Sequence, residues 1–360
     1  MPQVTFALPS LSYVCRPLLD SVLPSLPPTV SDLDVPPLLR EHFILSGYRP
    51  LGLPWRCCVL SLLQIHNQTL TTWSLLLAAL ALLLRFTGFA FLRGGGLLGF
   101  RLEGPEGQGL SVDPTSLPLV LYFISAIADL SCSAAANVLH CRSEEMHYFL
   151  FFLHSVSAAV YQYGCALALS LYSVDAIWTQ SMLGQVYLPL TAILSWLSCA
   201  LCCYTKLTLR SKFAIHRRIC RLFPMGVAFL VIMGPFVRRL TIYRWSNGPA
   251  LMLHFFQVVL FLLSTFFFCF PVPECFAPGH YDLAGNSHHV YHALRSLCTL
   301  VQQEALFHDF LWRRPALVRQ MGEQHLLLTC ISFFCPMVCC SMTALAMRSR
   351  ARAELEKEQR

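Results

Sequence analysis

His288 and His292 stand four residues apart in the run Asn286-Ser287-His288-His289-Val290-Tyr291-His292. On a helix this spacing puts both imidazoles on one face. Two neutral imidazoles so placed suit a single zinc ion. Interfacial or hydrogen-bonded roles are the more frequent use of such a pair. Two charges lie deeper in apolar segments, where charge is expensive and marks function. Asp129 precedes Asn137 by eight residues, roughly 12 Å along a helix. Arg295 follows His288 by seven, roughly 10 Å along an oppositely directed helix and on the same face. Opposite charges at similar depth invite an Asp129–Arg295 bridge. Separate water or carbonyl partners are the alternative.

The elements that must carry these residues follow from composition. Of 360 residues, 56% are hydrophobic and 12% charged, and the mean hydropathy is +0.56. Soluble domains carry about twice that charge fraction. The charges fall in short runs between long apolar stretches, as when the bilayer is the solvent. No basic patch interleaved with stacking aromatics argues for nucleic acid, despite a net charge of +7. Most of the 17 cysteines lie in apolar runs, where they act as small hydrophobes. Their spacing fits neither a disulfide framework nor a cysteine zinc site. Met1 to Asp20 lack a basic region followed by a continuous apolar one, so no cleaved signal peptide is expected.

Eight segments are predicted to span: 72–92, 117–139, 147–169, 184–204, 222–240, 250–270, 287–307 and 326–347. Pro336 lies inside the last, which a membrane helix tolerates when neighbours satisfy the freed backbone groups. Residues 1–71 form a Pro-rich segment with an approach helix. Residues 72–310 form a seven-span core. Residues 311–347 hold a loop and the eighth helix, and 348–360 a charged tail. The Gly-rich stretch from Arg93 to Pro114 reads as an irregular loop.

Orientation follows from Lys and Arg. Lys206, Arg210, Lys212, Arg217, Arg218 and Arg221 place the loop after the fourth helix in the cytosol. With eight spans both termini share that side. Arg16, Arg40, Arg49 and Arg56 near the start agree, as do Arg348, Arg350, Arg352, Lys357 and Arg360 at the end. The opposite side carries fewer, mainly Arg93, Arg101, Arg238, Arg239, Arg244, Arg313, Arg314 and Arg319. Attraction to anionic lipid accounts for the basic residues as well as a signalling partner does.

Longer motifs make the histidine region specific. Pro273-Glu274, Pro278-Gly279, Asp282, Gly285, Ser287-His288 and His292 resemble the pattern of the progestin and adipoQ receptor family. Ser46-Gly47-Tyr48-Arg49 matches its early motif. His66-Asn67-Gln68-Thr69 with Trp73 matches the motif before its first helix. Ser143-Glu144, His147-Tyr148, Phe151-Phe152-Leu153, Ala159-Val160-Tyr161-Gln162-Tyr163-Gly164 and Trp196-Leu197-Ser198-Cys199 resemble the membrane progestin receptor branch, near its alpha and beta types. The likeness runs from about residue 40 to residue 310. It implies an all-α membrane protein: a seven-helix transmembrane bundle of adiponectin-receptor type, with an eighth transmembrane helix.

The resemblance also implies a chemistry. In the family, three histidines hold zinc near the cytoplasmic face, helped by a carboxylate from the third helix. The adiponectin-receptor branch is associated with ceramide hydrolysis by a zinc-bound water. This chain departs from that pattern. In the Ser-x-x-x-His motif beginning at Ser133, Asn137 takes the histidine position. His154 takes the carboxylate position. Cys275 replaces an arginine, Gln68 a glutamate and Leu75 a histidine. Either the hydrolytic site is lost, since Asn137 is a poor ligand and no base remains at 154. Or zinc is kept by a rearranged set of His154, His288 and His292, with His140 one turn from Asn137.

What the resemblance implies is a plasma-membrane receptor for a progestin-like steroid or another lipid, coupling to a heterotrimeric G protein. A zinc-dependent lipid amide hydrolase, or an inactive relative of one, is the alternative. Gln162, Gln302, Gln303 and Glu304 offer polar contacts to a ligand, although bonding between helices is their commoner role. Asn67-Gln68-Thr69 spells a glycosylation sequon on the side predicted cytoplasmic, so no glycan is expected.

Overall fold

The computed structural model describes residues 26–92, 98–99, 111–174, 176–208, 214–243, 249–320 and 322–358. The first 25 residues lie outside these, with the signal-peptide question and Arg16. So do Arg93, Arg101, Arg210, Lys212, Arg244 and Arg360. The approach helix is α1, Trp55–Leu60. The bundle consists of α2 (Thr69–Leu92), α3 (Leu117–Leu139), α4 (Glu144–Tyr172), α5 (Met182–Thr208), α6 (Ala214–Ile232), α7 (Gly234–Tyr243), α8 (Pro249–Cys269), α9 (Ser287–Gln320), α10 (Glu323–Ile331) and α11 (Phe334–Glu358). A short helix, Ala176–Gln180, precedes α5. Within the Gly-rich stretch, Leu98–Gly99 pairs antiparallel with Ser111–Val112.

Seven helices among the described residues are long and apolar enough to cross a membrane. They match the predicted spans except 287–307. That span sits in α9, whose 34 residues reach about 50 Å. Its polar side chains keep it out of the apolar set, and they are turned inward: Ser296, Thr299, Gln302, Gln303 and Asp309 are all buried. The helix also runs past Phe307 to Gln320, where a loop is predicted. The tail at 348–358 continues α11 rather than leaving the helix. Two spans are broken. The fifth turns at Met233, just before Pro235, which has no N–H and crowds the preceding turn. The eighth turns at Ser332-Phe333, ahead of Pro336.

α4 runs through the centre, and Tyr163, Ala166, Leu167 and Leu169 are buried along it. Its first turn is capped by Ser143 Oγ, which accepts from Met146 N at 3.1 Å. By contrast Leu77, Leu80 and Leu84 of α2 are exposed, as a lipid-facing stripe must be.

One end of the bundle collects the N-terminal segment, the α3–α4 turn, the α8–α9 connection and the end of α11. Asp282 accepts from Leu45 N at 3.1 Å and from Ser46 Oγ at 2.6 Å. Arg49 donates to Val138 O at 2.9 Å and to Ser61 Oγ at 2.7 Å. Arg352 pairs with Glu145. Gly47 sits at φ +82°, where a Cβ would come 2.8 Å from Leu283 Cδ2. Only glycine lets the segment lie this close.

Candidate functional site

At that end a vestibule of about 360 Å³ opens between α3, α4, α9 and the α8–α9 connection. Ser133, Asn137, His140, His154, His288 and His292 all line it. The His288 and His292 rings sit 4.6 Å apart at 74°. Helical spacing and the capped start of α9 hold them there: Glu274 accepts from Ser287 N at 2.8 Å and also from Ser287 Oγ. His140 Nδ1 lies 3.0 Å from Asn137 O, 3.2 Å from Ala136 O and 3.4 Å from Arg49 Nη2. His147 accepts at Nε2 from Lys206 Nζ at 2.8 Å.

Behind the vestibule, Arg295 Nη2 donates to Asp129 Oδ2. Helix register brings the two charges together as the depth argument predicts. Asp129 is 2% exposed and Arg295 16%. His154 Nδ1 lies 3.7 Å from Asp129 Oδ1, and Ser157 Oγ is 3.5 Å from the same oxygen. The cluster thus joins a carboxylate, a guanidinium, an imidazole and the Ser157 hydroxyl, with the Tyr291 hydroxyl beside Arg295.

Zinc needs three or four donors about 2.0–2.3 Å from one point. Among the described residues no three His, Cys, Asp or Glu side chains are gathered in that way. His154, His288, His292 and His140 share the vestibule wall but do not converge. Position 137 offers a carboxamide. The carboxylate nearest His154, that of Asp129, is taken by a guanidinium. These residues do not fit a zinc hydrolase centre. Three imidazole nitrogens nevertheless remain buried without a hydrogen bond: His154 Nδ1, His288 Nε2 and His292 Nδ1.

A second, inner chamber of about 170 Å³ lies between α4, α5, α6, α8 and α9. It shares Phe151, His154, Arg221, Phe268 and Tyr291 with the vestibule, so the two adjoin. Its walls are mainly apolar, with Met225, Phe229 and Phe261 from α6 and α8. Arg295, Gln162 and Gln302 are among its polar exceptions. The four Gln and Glu side chains expected to offer a ligand polar contacts separate cleanly. Gln302 Oε1 accepts from Tyr161 Oη at 2.6 Å, Gln303 Nε2 donates to Leu82 O at 3.1 Å, and Glu304 pairs with Arg85 at 2.6 Å. Gln162 Oε1 is buried without a partner.

Sequence reasoning missed Arg221, Tyr161 and Tyr291 as wall residues, because nothing local distinguishes them. It also missed a buried ion cluster at the other end. Asp309 on α9 accepts from Arg239 Nη1 and Ser173 Oγ, and lies 2.9 Å from His254 Nε2. Asp309 and His254 are fully buried. A charge and a histidine inside apolar segments were the available signal.

Outside the spans, His66 is buried against the N-terminal segment and accepts at Nδ1 from Gln68 N at 3.1 Å. Burial, then the charge of Arg49, pushes its pKa down to about 3. The adjacent Asn67 is buried too, and its carbonyl bonds His289 Nε2 at 2.7 Å.

These features define a multi-pass helical membrane protein whose bundle encloses a polar vestibule and an apolar chamber. The haemolysin-III-related family pattern matches residues 63–303. The chain is 39% identical over 344 residues to membrane progestin receptor beta of Homo sapiens, covering 95% of this chain and 93% of that protein. It is 37% identical over 344 residues to membrane progestin receptor alpha of Cynoscion nebulosus, again 95% and 93%. Against membrane progestin receptor alpha of Homo sapiens it is 37% identical over 315 residues, 87% of this chain and 86% of that protein. The chain belongs to the haemolysin-III-related family, that of the progestin and adipoQ receptors.

Proposed function

We propose that this protein is a membrane receptor for a progestin-like steroid, bound inside the helical bundle. The inner chamber carries the reading: it is walled by Met225, Phe229 and Phe261 and has a few polar groups set into it. A steroid is a rigid apolar plate with oxygen at each end, and such a chamber suits it. The two adjoining chambers together fall within the ~300–1,000 Å³ usual for ligand sites. The names of the relatives point the same way. Asn137, and Asp129 held by Arg295, disfavour a hydrolase.

We further propose that the end bearing Lys206, Arg221, Arg348 and Arg352 faces the cytosol at the plasma membrane, where a G protein or anionic lipid would meet it. Saturable binding of radiolabelled progesterone to membranes of expressing cells is the test. Binding displaced by unlabelled progestin is expected, and its absence overturns the steroid reading. The lipid amide hydrolase is tested in parallel on purified protein. Ceramide turnover that is removed by chelator and by His292→Ala would replace the receptor reading.

A further inference from the structure

The guanidinium of Arg295 has one nitrogen without a partner. Its Nη2 is committed to Asp129, while Nη1 is buried and has no hydrogen-bond partner. Arg295 lines the inner chamber, and Asp129 is not among the residues that do. The chamber therefore reaches Arg295 away from Asp129, on a wall that Tyr291 shares and where the Tyr291 hydroxyl also approaches Arg295. A buried donor left without an acceptor costs about 1–3 kcal/mol, more for a charged group, and a ligand oxygen there would remove that cost.

The chemistry at this point is narrow. Arginine has five donors and no acceptor. It welcomes an acceptor oxygen but gives nothing to a ligand O–H. Its charge is already balanced by Asp129. At Arg295 an anionic head group would then add an unmatched charge, since the other chamber cation, Arg221, stands where the chamber adjoins the vestibule, and an unmatched buried charge is expensive. A neutral carbonyl meets both conditions.

His154 Nδ1, Ser198 Oγ and Gln162 Oε1 are further unpartnered polar atoms of chamber-lining groups, and Gln162 is the carboxamide among them, on α4. Its chain neighbour Tyr161 bonds Gln302 at 2.6 Å, which sets the level of Gln162 against α9. Gln302 is seven residues, roughly 10 Å, beyond Arg295 along that helix. Arg295 Nη1 and Gln162 Oε1 thus sit at different depths of one mainly apolar chamber. A carboxamide presents a donor or an acceptor according to its flip, so the Gln162 end accepts either a ketone or a hydroxyl.

We infer that Arg295 Nη1 is the selective contact of the chamber and takes the ring-A ketone of a 3-keto steroid, with the D-ring substituent directed to Gln162. This rests on the steroid reading above and goes further by assigning the ends. A conjugated ketone is the better acceptor of the two steroid oxygens, which places it at the charged donor.

The experiment compares progesterone with its 3-deoxy analogue and with its 20-deoxy analogue on full-length protein in membranes. Wild type is expected to prefer progesterone over the 3-deoxy analogue by about tenfold to a hundredfold. Arg295→Lys keeps a cation for Asp129 but removes the planar second donor, and should bring that ratio close to one. The affinity of the 3-deoxy analogue itself should stay unchanged, which a merely structural role of Arg295 does not predict. Gln162→Leu provides an independent arm should Arg295→Lys not fold: it should collapse the 20-deoxy ratio and leave the 3-deoxy ratio intact. Saturable binding with both ratios unmoved by the variants overturns the assignment and leaves the receptor reading standing. A shift confined to the opposite ratio overturns the orientation. No saturable binding by wild type overturns both readings.

Discussion

Removing Asp129 alone should damage this protein more than removing Asp129 and Arg295 together. In Asp129→Leu the guanidinium of Arg295, only 16% exposed, loses its counter-charge and keeps no carboxylate within the cluster. Unit charges about 4 Å apart attract by about 4 kcal/mol at an effective dielectric constant near 20. Breaking a buried pair on one side costs about 3–5 kcal/mol, whereas apolar replacement of both partners is close to neutral. Arg295→Leu should behave like Asp129→Leu, leaving a carboxylate that is 2% exposed with only Ser157 and His154 beside it. Asp129→Leu/Arg295→Leu should then recover most of the loss, for a coupling of about 3 kcal/mol. Thermal and denaturant unfolding of purified protein in nanodiscs, read for the four members of the cycle, measures it. Bonds between membrane helices often couple by less than 1 kcal/mol, so the magnitude itself discriminates an ion pair from an ordinary polar contact. Losses that add to within about 0.5 kcal/mol would show that the two charges do not depend on each other.

Further outcomes follow from other contacts. Asp309→Asn should lower stability by about 3–5 kcal/mol, because Arg239 and His254 lose a shared buried carboxylate, and the unfolding midpoint reads it directly. His66 titrates with a folded pKa of about 3, below the ordinary histidine value of about 6.5. The unfolded chain therefore binds the proton more readily, and this contribution to stability is complete above pH 6.5. It declines as pH falls from 6.5 towards 3. His66→Asn, which keeps an acceptor for Gln68 N, should flatten that part of the stability–pH curve, and an unchanged slope would refute the assignment. Glu274→Gln should weaken the cap at Ser287 by about 1 kcal/mol and raise amide exchange in the first turn of α9. Addition of a strong chelator should leave the unfolding midpoint where it was. A fall restored by zinc would show that the vestibule histidines gather a metal after all.

Much of the architecture is determined by the order of residues alone. A membrane-spanning helix must satisfy its own backbone, so apolar length by itself reports its existence. The spans at 72–92 and 117–139 are read almost to the residue, and α3 is Leu117–Leu139. The Asp129–Arg295 pair is legible for the same reason. Rise per residue converts sequence separation into depth, and two costly charges at one depth seek each other. Motif spacing likewise carries the family.

Tertiary structure decided what depends on which face a residue presents to a neighbour. α9 is too polar to be counted as apolar, yet it is buried because Gln302, Gln303 and Asp309 find partners on α2, α4, α7 and α8. Hydropathy sums over a window and cannot register such pairings. The Asp309 cluster joins residues 70 and 136 positions apart, a distance no local pattern spans. His288 and His292 make the same point. Their spacing places both rings on one face whatever the surroundings. Whether a third donor completes a site depends on where α3 and α4 set Asn137, His140 and His154, and behind them α3 and α9 bring together a carboxylate–guanidinium pair.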